Sequence, residues 1–213
     1  MDELDLLKKD WKRSEEAYPK LSYNDIYKMI LKKSSSIVKW IFIISLLEFI
    51  FWTVISLSLK DSSSMKHFNE LDADYILIPL SIIGYIVLGY FFFLFFKNYR
   101  TISVIDNAKV LMENILKTRR IVKQYVAFNL IFLIISTLVV LFIEFDQDQQ
   151  LINKIEQASA NGEAFKFYAM FIITVVVFLG IAVGVLLLFY WLVYGILLKR
   201  LNKNYQELKK LEV

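Results

Sequence analysis

Apolar positions in this chain gather into four long runs separated by charged segments, and the lengths of those runs already point to a bilayer. The first, Ile37 to Leu59 (IVKWIFIISLLEFIFWTVISLSL), has 23 residues. As a helix at ~1.5 Å per residue it covers roughly 34 Å, enough for a hydrocarbon core of about 30 Å. The second run, Tyr75 to Phe96, carries Pro79 near its start and ends in FFFLFF against Lys97. Proline in the first turn or so of a helix costs little, because those N–H groups have no helical partner. The third run is Tyr125 to Ile143 and the fourth Phe167 to Leu198. At ~48 Å as a helix the fourth exceeds the bilayer core, so it must tilt or protrude. Tyr190, Trp191 and Tyr194 read as an interfacial aromatic group near its end, and the helix is expected to continue through LKRLNKNYQELKKLEV, with Leu201, Tyr205 and Leu208 on one apolar face.

The polar segments carry patterns of their own. Residues 1–36 mix both signs of charge, as solvated helical surfaces do. Leu4, Leu7 and Trp11 fall on one face of a short amphipathic helix, which Pro19 interrupts. It either packs on the protein's own surface or meets a partner or the membrane. Ser22 is a candidate N-cap with Asp25 in the first turn of a helix, with Ile26, Met29 and Ile30 inward, that runs toward the first span. Residues 60–74 form a short polar loop. Between Lys97 and Lys123, Val104, Ala108, Leu111, Ile115, Thr118 and Val122 recur at alternating four- and three-residue steps. That spacing predicts a helical hairpin, its second arm continuous with span three and its start capped by Ser103 or Asp106. Residues 144–166 are acidic, with a turn at Asn161-Gly162. Residues 199–213 extend the fourth helix.

Composition agrees with the pattern: 57% hydrophobic and 16% aromatic residues with a mean hydropathy of +0.51 are too apolar for an ordinary soluble domain. Two prolines and six glycines leave few breaks, so the expected fold is all-α, a polytopic membrane protein with four transmembrane helices and cytosolic helical extensions. The first apolar run sits behind a charged segment without a cleavage pattern, so it is expected to be a retained span and not a signal peptide. With no cysteine, disulfides, thiolate metal sites and cysteine catalysis are excluded.

Charge sets the expected threading. Of the 25 Lys and Arg residues, 20 lie before the first span, between spans two and three, or after span four, and only 4 lie in the other two loops. By the positive-inside rule both termini and the hairpin at 97–123 are cytoplasmic, and Lys39, just inside the first span, snorkels to the same interface. This distribution accounts for the net charge of +4 without invoking nucleic acid. The expected partners are the lipid bilayer and a cytosolic protein or anionic headgroups met by the basic segments.

Glu48, at the centre of the first span, is the one acidic residue deep in an apolar run. A charge there costs about 2.5 to 3.5 kcal/mol on insertion scales, so it must be protonated, paired or facing a wet interior. Counting inward from the ends of spans two and four places it beside Gly84, Gly89, Gly180 and Gly184, a candidate packing layer in which it bonds Tyr85, Ser136, Thr137 or Asn129. Structural glue, proton or ion handling and an intermolecular contact are all open roles. Gly180-x-x-x-Gly184 is a common helix-packing motif and no independent support for a homo-oligomer. The single histidine, His67, with Glu70, Asp72 and Asp74, makes a poor metal site. No phosphate loop, nucleophile elbow or Ser-His-Asp set occurs, so no catalytic group, metal or cofactor is expected.

The segments Glu3-Leu4-Asp5-Leu6-Leu7-Lys8-Lys9-Asp10-Trp11, Ile102-Ser103-Val104-Ile105-Asp106 and Lys117-Thr118-Arg119 resemble parts of short, uncharacterised bacterial inner-membrane proteins. The resemblance implies a four-span inner-membrane protein with no established mechanism. Some such proteins are described as beta-carotene monooxygenases, but iron-dependent carotenoid oxygenases use four histidines and this chain has one, so that activity does not carry over. The expectation is a non-enzymatic anchor or scaffold presenting a basic cytosolic helical layer. The alternative is a small transporter or ion-coupled component using Glu48.

Overall fold

The computed structural model describes residues 22–59, 73–103 and 107–211. The N-terminal segment with Leu4, Leu7, Trp11 and Pro19, and the loop with His67, Glu70 and Asp72, lie outside the described residues. The elements are α1 (Tyr23–Leu59), α2 (Asp74–Ile102), α3 (Ala108–Gln147), α4 (Gln149–Ala160), α5 (Ala164–Tyr190), a π-turn (Trp191–Gly195) and α6 (Ile196–Leu211). No strand occurs among the described residues, and four helical stretches are long and apolar enough to cross a membrane. The fourth is the continuous run through α5, the π-turn and α6. The wide exposure of their apolar side chains is what lipid, and not a protein core, accommodates.

Local chemistry fixes the helix ends. At the start of α1 the Ser22 hydroxyl and backbone N–H donate to the Asp25 carboxylate at 2.7 and 3.2 Å, and the Asp25 N–H donates back to Ser22 Oγ at 3.2 Å. This is a reciprocal capping box. The hairpin start differs from expectation. Ser103 ends α2, its hydroxyl donating to the Arg100 carbonyl at 2.8 Å, and Asn107 caps α3 by accepting the Lys109 N–H at 2.9 Å. The cause is that α2 itself runs on to Ile102, so Ser103 belongs to its C-terminus; Val104 and Asp106 lie outside the described residues.

The acidic segment after span three holds a helix that its polarity concealed, α4. Asp148 closes α3 and caps α4, its carboxylate accepting from the Gln150 N–H at 2.8 Å and the Leu151 N–H at 3.4 Å. Half-buried Leu151, Ile152, Ile155 and Ala158 line one side of α4, which packs on α5 and α3. The turn falls at Asn161–Gly162 as expected. Gly162 has φ +74°, a left-handed conformation that ends helices and disfavours side chains.

Packing follows one rule on three helical stretches. The buried positions of α1 are Tyr27, Ile30, Ser34, Val38, Ile41, Ser45 and Glu48, at steps of three and four. On α3 the stripe is Ala108, Leu111, Ile115, Thr118, Val122 and Tyr125, with Ile121 buried beside it and Ile143 near the far end; on the last stretch Tyr190, Tyr194, Leu201, Asn204 and Leu208 keep the same period. Such stripes suit nearly parallel or antiparallel helices meeting along a seam. α1 lies between α2 and α6, and α3 completes the ring. Where these ends meet, Tyr27, Ile30, Val38, Ile102, Leu111, Ile115, Leu201 and Leu208 form a closed apolar core outside the most apolar parts of the helices. Polar pairs cross it: Asn204 Nδ2 donates to Ser34 Oγ at 3.0 Å, Asn98 Nδ2 to Thr118 Oγ1 at 2.5 Å, and at its edge Arg119 Nη1 to Asn202 Oδ1 at 2.8 Å. This is the basic end, because the described parts of all three basic segments converge there.

Ile115 is fully buried in this core and Leu116 beside it is 43% exposed. Ile115→Ala is therefore expected to lower unfolding stability by about 2–5 kcal/mol, and Leu116→Ala by less than about 0.5 kcal/mol. Thermal or denaturant unfolding of the detergent-solubilised protein, followed by circular dichroism, checks the contrast.

Candidate functional site

Following the buried stripe of α1 away from the basic end leads to Glu48, the one acidic side chain among the described buried residues. Its neighbours are Tyr125 of α3, Tyr190 at the end of α5 and Tyr194 in the π-turn. Tyr190 Oη donates to Glu48 Oε1 at 2.6 Å, while Tyr125 Oη and Tyr194 Oη donate to Oε2 at 3.0 and 3.2 Å. An ionised carboxylate only accepts, and phenolic hydroxyls are donors that carry no charge themselves. The cage thus offers an ionised Glu48 donors in place of water. Among the described residues its hydrogen-bond partners are these hydroxyls, and none is a cation.

The rings that deliver the hydroxyls are locked by one another. Tyr125 sits edge-on to Phe91, Phe95 and Tyr194 at centroid distances of 5.6, 5.6 and 6.0 Å. Ile41, Ile121 and Val122 close the same cluster. Such edge-to-face pairs hold the ring planes and so aim the hydroxyls. The π-turn contributes directly: it carries Tyr194 and joins α5, whose one buried residue is Tyr190, to α6, whose buried face joins the core.

These positions correct several expectations. Glu48 does not bond Tyr85, Ser136, Thr137 or Asn129. The Ser136, Thr137 and Asn129 side chains donate instead to carbonyls four residues earlier on their own helix, at 2.6, 2.9 and 2.8 Å, and Tyr85 is largely exposed. Tyr190 and Tyr194 are not interfacial anchors, being 4% and 1% exposed; only Trp191 of that trio faces outward. The glycine layer reduces to Gly84, where a Cβ would come within 2.7 Å of the Phe132 ring. Gly89, Gly180 and Gly184 face open space, so they bring no described helices together. Lys39 is exposed on the outer face and does not pair with Glu48. Nor is Glu48 level with the middle of the other spans. Tyr125 is only two residues past Lys123 and Tyr194 five before Lys199, ~3 and ~8 Å along their helices. The first turns of the apolar run of α1 are spent against protein, Ile37 and Val38 in the basic-end core and Ile41 in the tyrosine cluster, which shifts Glu48 toward that end.

The three tyrosines were the residues that reasoning from the sequence missed. The signal existed: the stripe Val104 to Val122 reaches Tyr125 with one more three-residue step, and the stripe of α1 reaches Glu48 from Ser34 by steps of four, three, four and three.

Two cavities meet at the carboxylate. One, about 790 Å³, lies between α1 and α5 and is lined by apolar side chains including Phe51, Trp52, Val185 and Phe189, with Glu48. The other, about 370 Å³, lies on the α2 and α3 side, where Asn129, Ser136 and Tyr85 line it beside Glu48. A third depression, about 620 Å³, lies at the basic end between α1 and α6 and is lined by Lys32, Lys33, Ser36, Ile37, Arg200 and Lys203.

Compared with known proteins, the chain matches over residues 24–213 the family described as "Domain of unknown function (DUF8845)", and it belongs to that family. No curated protein and no solved structure matches it.

Removing the shortest of the three bonds by Tyr190→Phe is expected to destabilise the protein by about 1–3 kcal/mol, because a buried acceptor loses its donor. In a Glu48→Leu background the same change is expected to have a much smaller effect, a coupling that a double-mutant cycle in detergent measures. Gly84→Val is likewise expected to lower the melting temperature, and Gly184→Val to leave it unchanged.

Proposed function

We propose that this DUF8845 member is a non-enzymatic protein of a bacterial inner membrane, a four-helix bundle that anchors a basic cytoplasmic layer and docks it on anionic lipid headgroups. Both termini lie in the cytoplasm on this reading, which the bias of 20 Lys and Arg to 4 supports. The observation that carries it is the groove between α1 and α6. Lys32 and Lys33 meet Arg200 and Lys203 across it, and the closed core beneath, with Leu201 and Leu208 fully buried, gives the four cations a rigid base. Ile37 lines the same groove, giving an apolar contact beside the four cations, as a headgroup with its attached chains offers both charge and apolar surface. A cytosolic protein with an acidic surface is the other occupant that such charge suits.

A second reading, a small transporter or ion-coupled component using Glu48, is favoured by one observation: the carboxylate opens onto intramembrane cavities. Flux in liposomes that vanishes in Glu48→Gln is the outcome that reading requires.

For the leading reading, native mass spectrometry of the protein titrated with phosphatidylglycerol is the measurement. Each basic side chain contributes about 1 kcal/mol near an anionic surface, so changing Lys32, Lys33, Arg200 and Lys203 together to Gln is expected to weaken phosphatidylglycerol binding by roughly tenfold or more. Phosphatidylcholine binding is expected to stay unchanged. Equal retention of phosphatidylglycerol by the variant defeats the headgroup assignment. Crosslinking that captures an acidic cytosolic protein through the same four residues reassigns the groove to a protein.

A further inference from the structure

The larger cavity at Glu48 plays no part in the basic groove, and its construction is specific. Along α1 it runs from Ile44 through Glu48 to Ile55, and along the last helical stretch from Val193 back to Ala182. These helices run antiparallel, so Glu48 stands near the end of the cavity closer to the basic end, and the walls beyond it, Phe51, Trp52, Ile55 and Val185, are all apolar. The cavity opens toward the lipid because α5 packs on α3 and α4 and not broadly on α1. At about 790 Å³ it falls within the roughly 300–1,000 Å³ range of small-molecule sites.

The carboxyl group inside sets what fits. Glu48 keeps 7% of its surface exposed, and its described hydrogen-bond partners are three hydroxyls, which take three of the roughly four acceptor positions of a carboxylate. Among the described residues the unfilled position belongs to Oε1, which accepts there from Tyr190 alone. Hydroxyls solvate a carboxylate without neutralising it, so a cation entering the cavity favours the ionised form of Glu48 and gains an attraction strengthened by the apolar surroundings. Phe51, Trp52 and Phe189 line the same space and offer aromatic faces to a cation. An anion meets Glu48 as a like charge, and a small hydrated metal ion has no described oxygen ligands in these walls besides Glu48.

We infer that the cavity between α1 and α5 is a binding site for a hydrophobic organic cation, entered from the lipid, with the cationic group at Glu48 and the apolar body against Phe51, Trp52 and Val185. The site shares Glu48 with the transport reading but requires no transport cycle, so binding without flux leaves it standing. It is also independent of lipid docking at the basic groove.

Tetraphenylphosphonium and tetraphenylborate are probes of nearly equal size and shape and opposite charge. Equilibrium dialysis against the purified full chain in neutral detergent is expected to give saturable binding of tetraphenylphosphonium at about one per chain and none of tetraphenylborate. Glu48→Gln is expected to weaken binding at least roughly tenfold, the loss of one charge-assisted contact. Since Glu48→Gln also disturbs the tyrosine cage, Val185→Trp supplies the second arm. Val185 is 63% exposed and lines the cavity away from the cage, so this change fills the site while the melting curve stays that of the wild type. It is expected to abolish saturable binding. Equal binding of the two probes, wild-type affinity in a folded Glu48→Gln or Val185→Trp protein, or no saturable tetraphenylphosphonium binding at all overturns the inference. The last outcome leaves lipid chains as the occupants.

Discussion

The structure turns on placing one carboxylate where lipid and apolar side chains surround it. A group with that desolvation penalty persists only if the protein supplies polar partners, and here they come from two other helical stretches: Tyr125 from α3, Tyr190 and Tyr194 from the join of α5 and α6. Three helices therefore have to keep a common register at Glu48. A slide of one residue along any seam carries a hydroxyl out of reach, so the cage specifies the alignment that the apolar stripes alone tolerate loosely. Buried polar pairs elsewhere, Ser34 with Asn204 and Asn98 with Thr118, repeat that logic toward the basic end.

The helices gain their regular packing at the basic end and lose it away from there. Between residue 27 of α1 and the tyrosine cage, four helices share a continuous core; beyond the cage α5 parts from α1 and joins α3 and α4. The π-turn sits at the branch point. Its irregular backbone stands where the buried face of the last helix passes from the core to the cage, and the cavity between α1 and α5 begins where that face turns outward. The carboxylate cage and the opening beside it thus meet at one local deviation in helical winding, which holds Tyr194 of the cage and Val193 of the cavity wall.

A tight basic-end core and a looser intramembrane region also divide the chemistry. Cations collect on the outside of the core, where their long stems lie along helix surfaces and their heads remain solvated. The single buried acid lies inside the loose region, next to accessible volume. Opposite charges are kept apart along α1: Lys32 and Lys33 precede Glu48 by about four turns, and Lys39 faces outward.

The pattern of residues determined a good deal by itself. Apolar runs of bilayer length with few prolines and glycines leave helices as the spanning structure, because every backbone polar group must be satisfied within the segment. The three- and four-residue steps from Ala108 to Val122 named the buried face of α3, and the charge beside Ser22 named the start of α1. These are local properties, readable within a few turns of one helix. Tertiary structure decided the register between helices, and with it the depth and partners of Glu48. Counting inward from span ends assumes that apolar boundaries align, and α1 breaks that assumption by burying Ile37, Val38 and Ile41 against protein. Likewise, whether a tyrosine at a span end faces lipid headgroups or a carboxylate depends on the phase of its helix against three others. That phase puts Tyr190, Tyr194 and Leu201 on one buried face, and the residue types of Trp191 to Gly195 do not announce the π-turn that carries it.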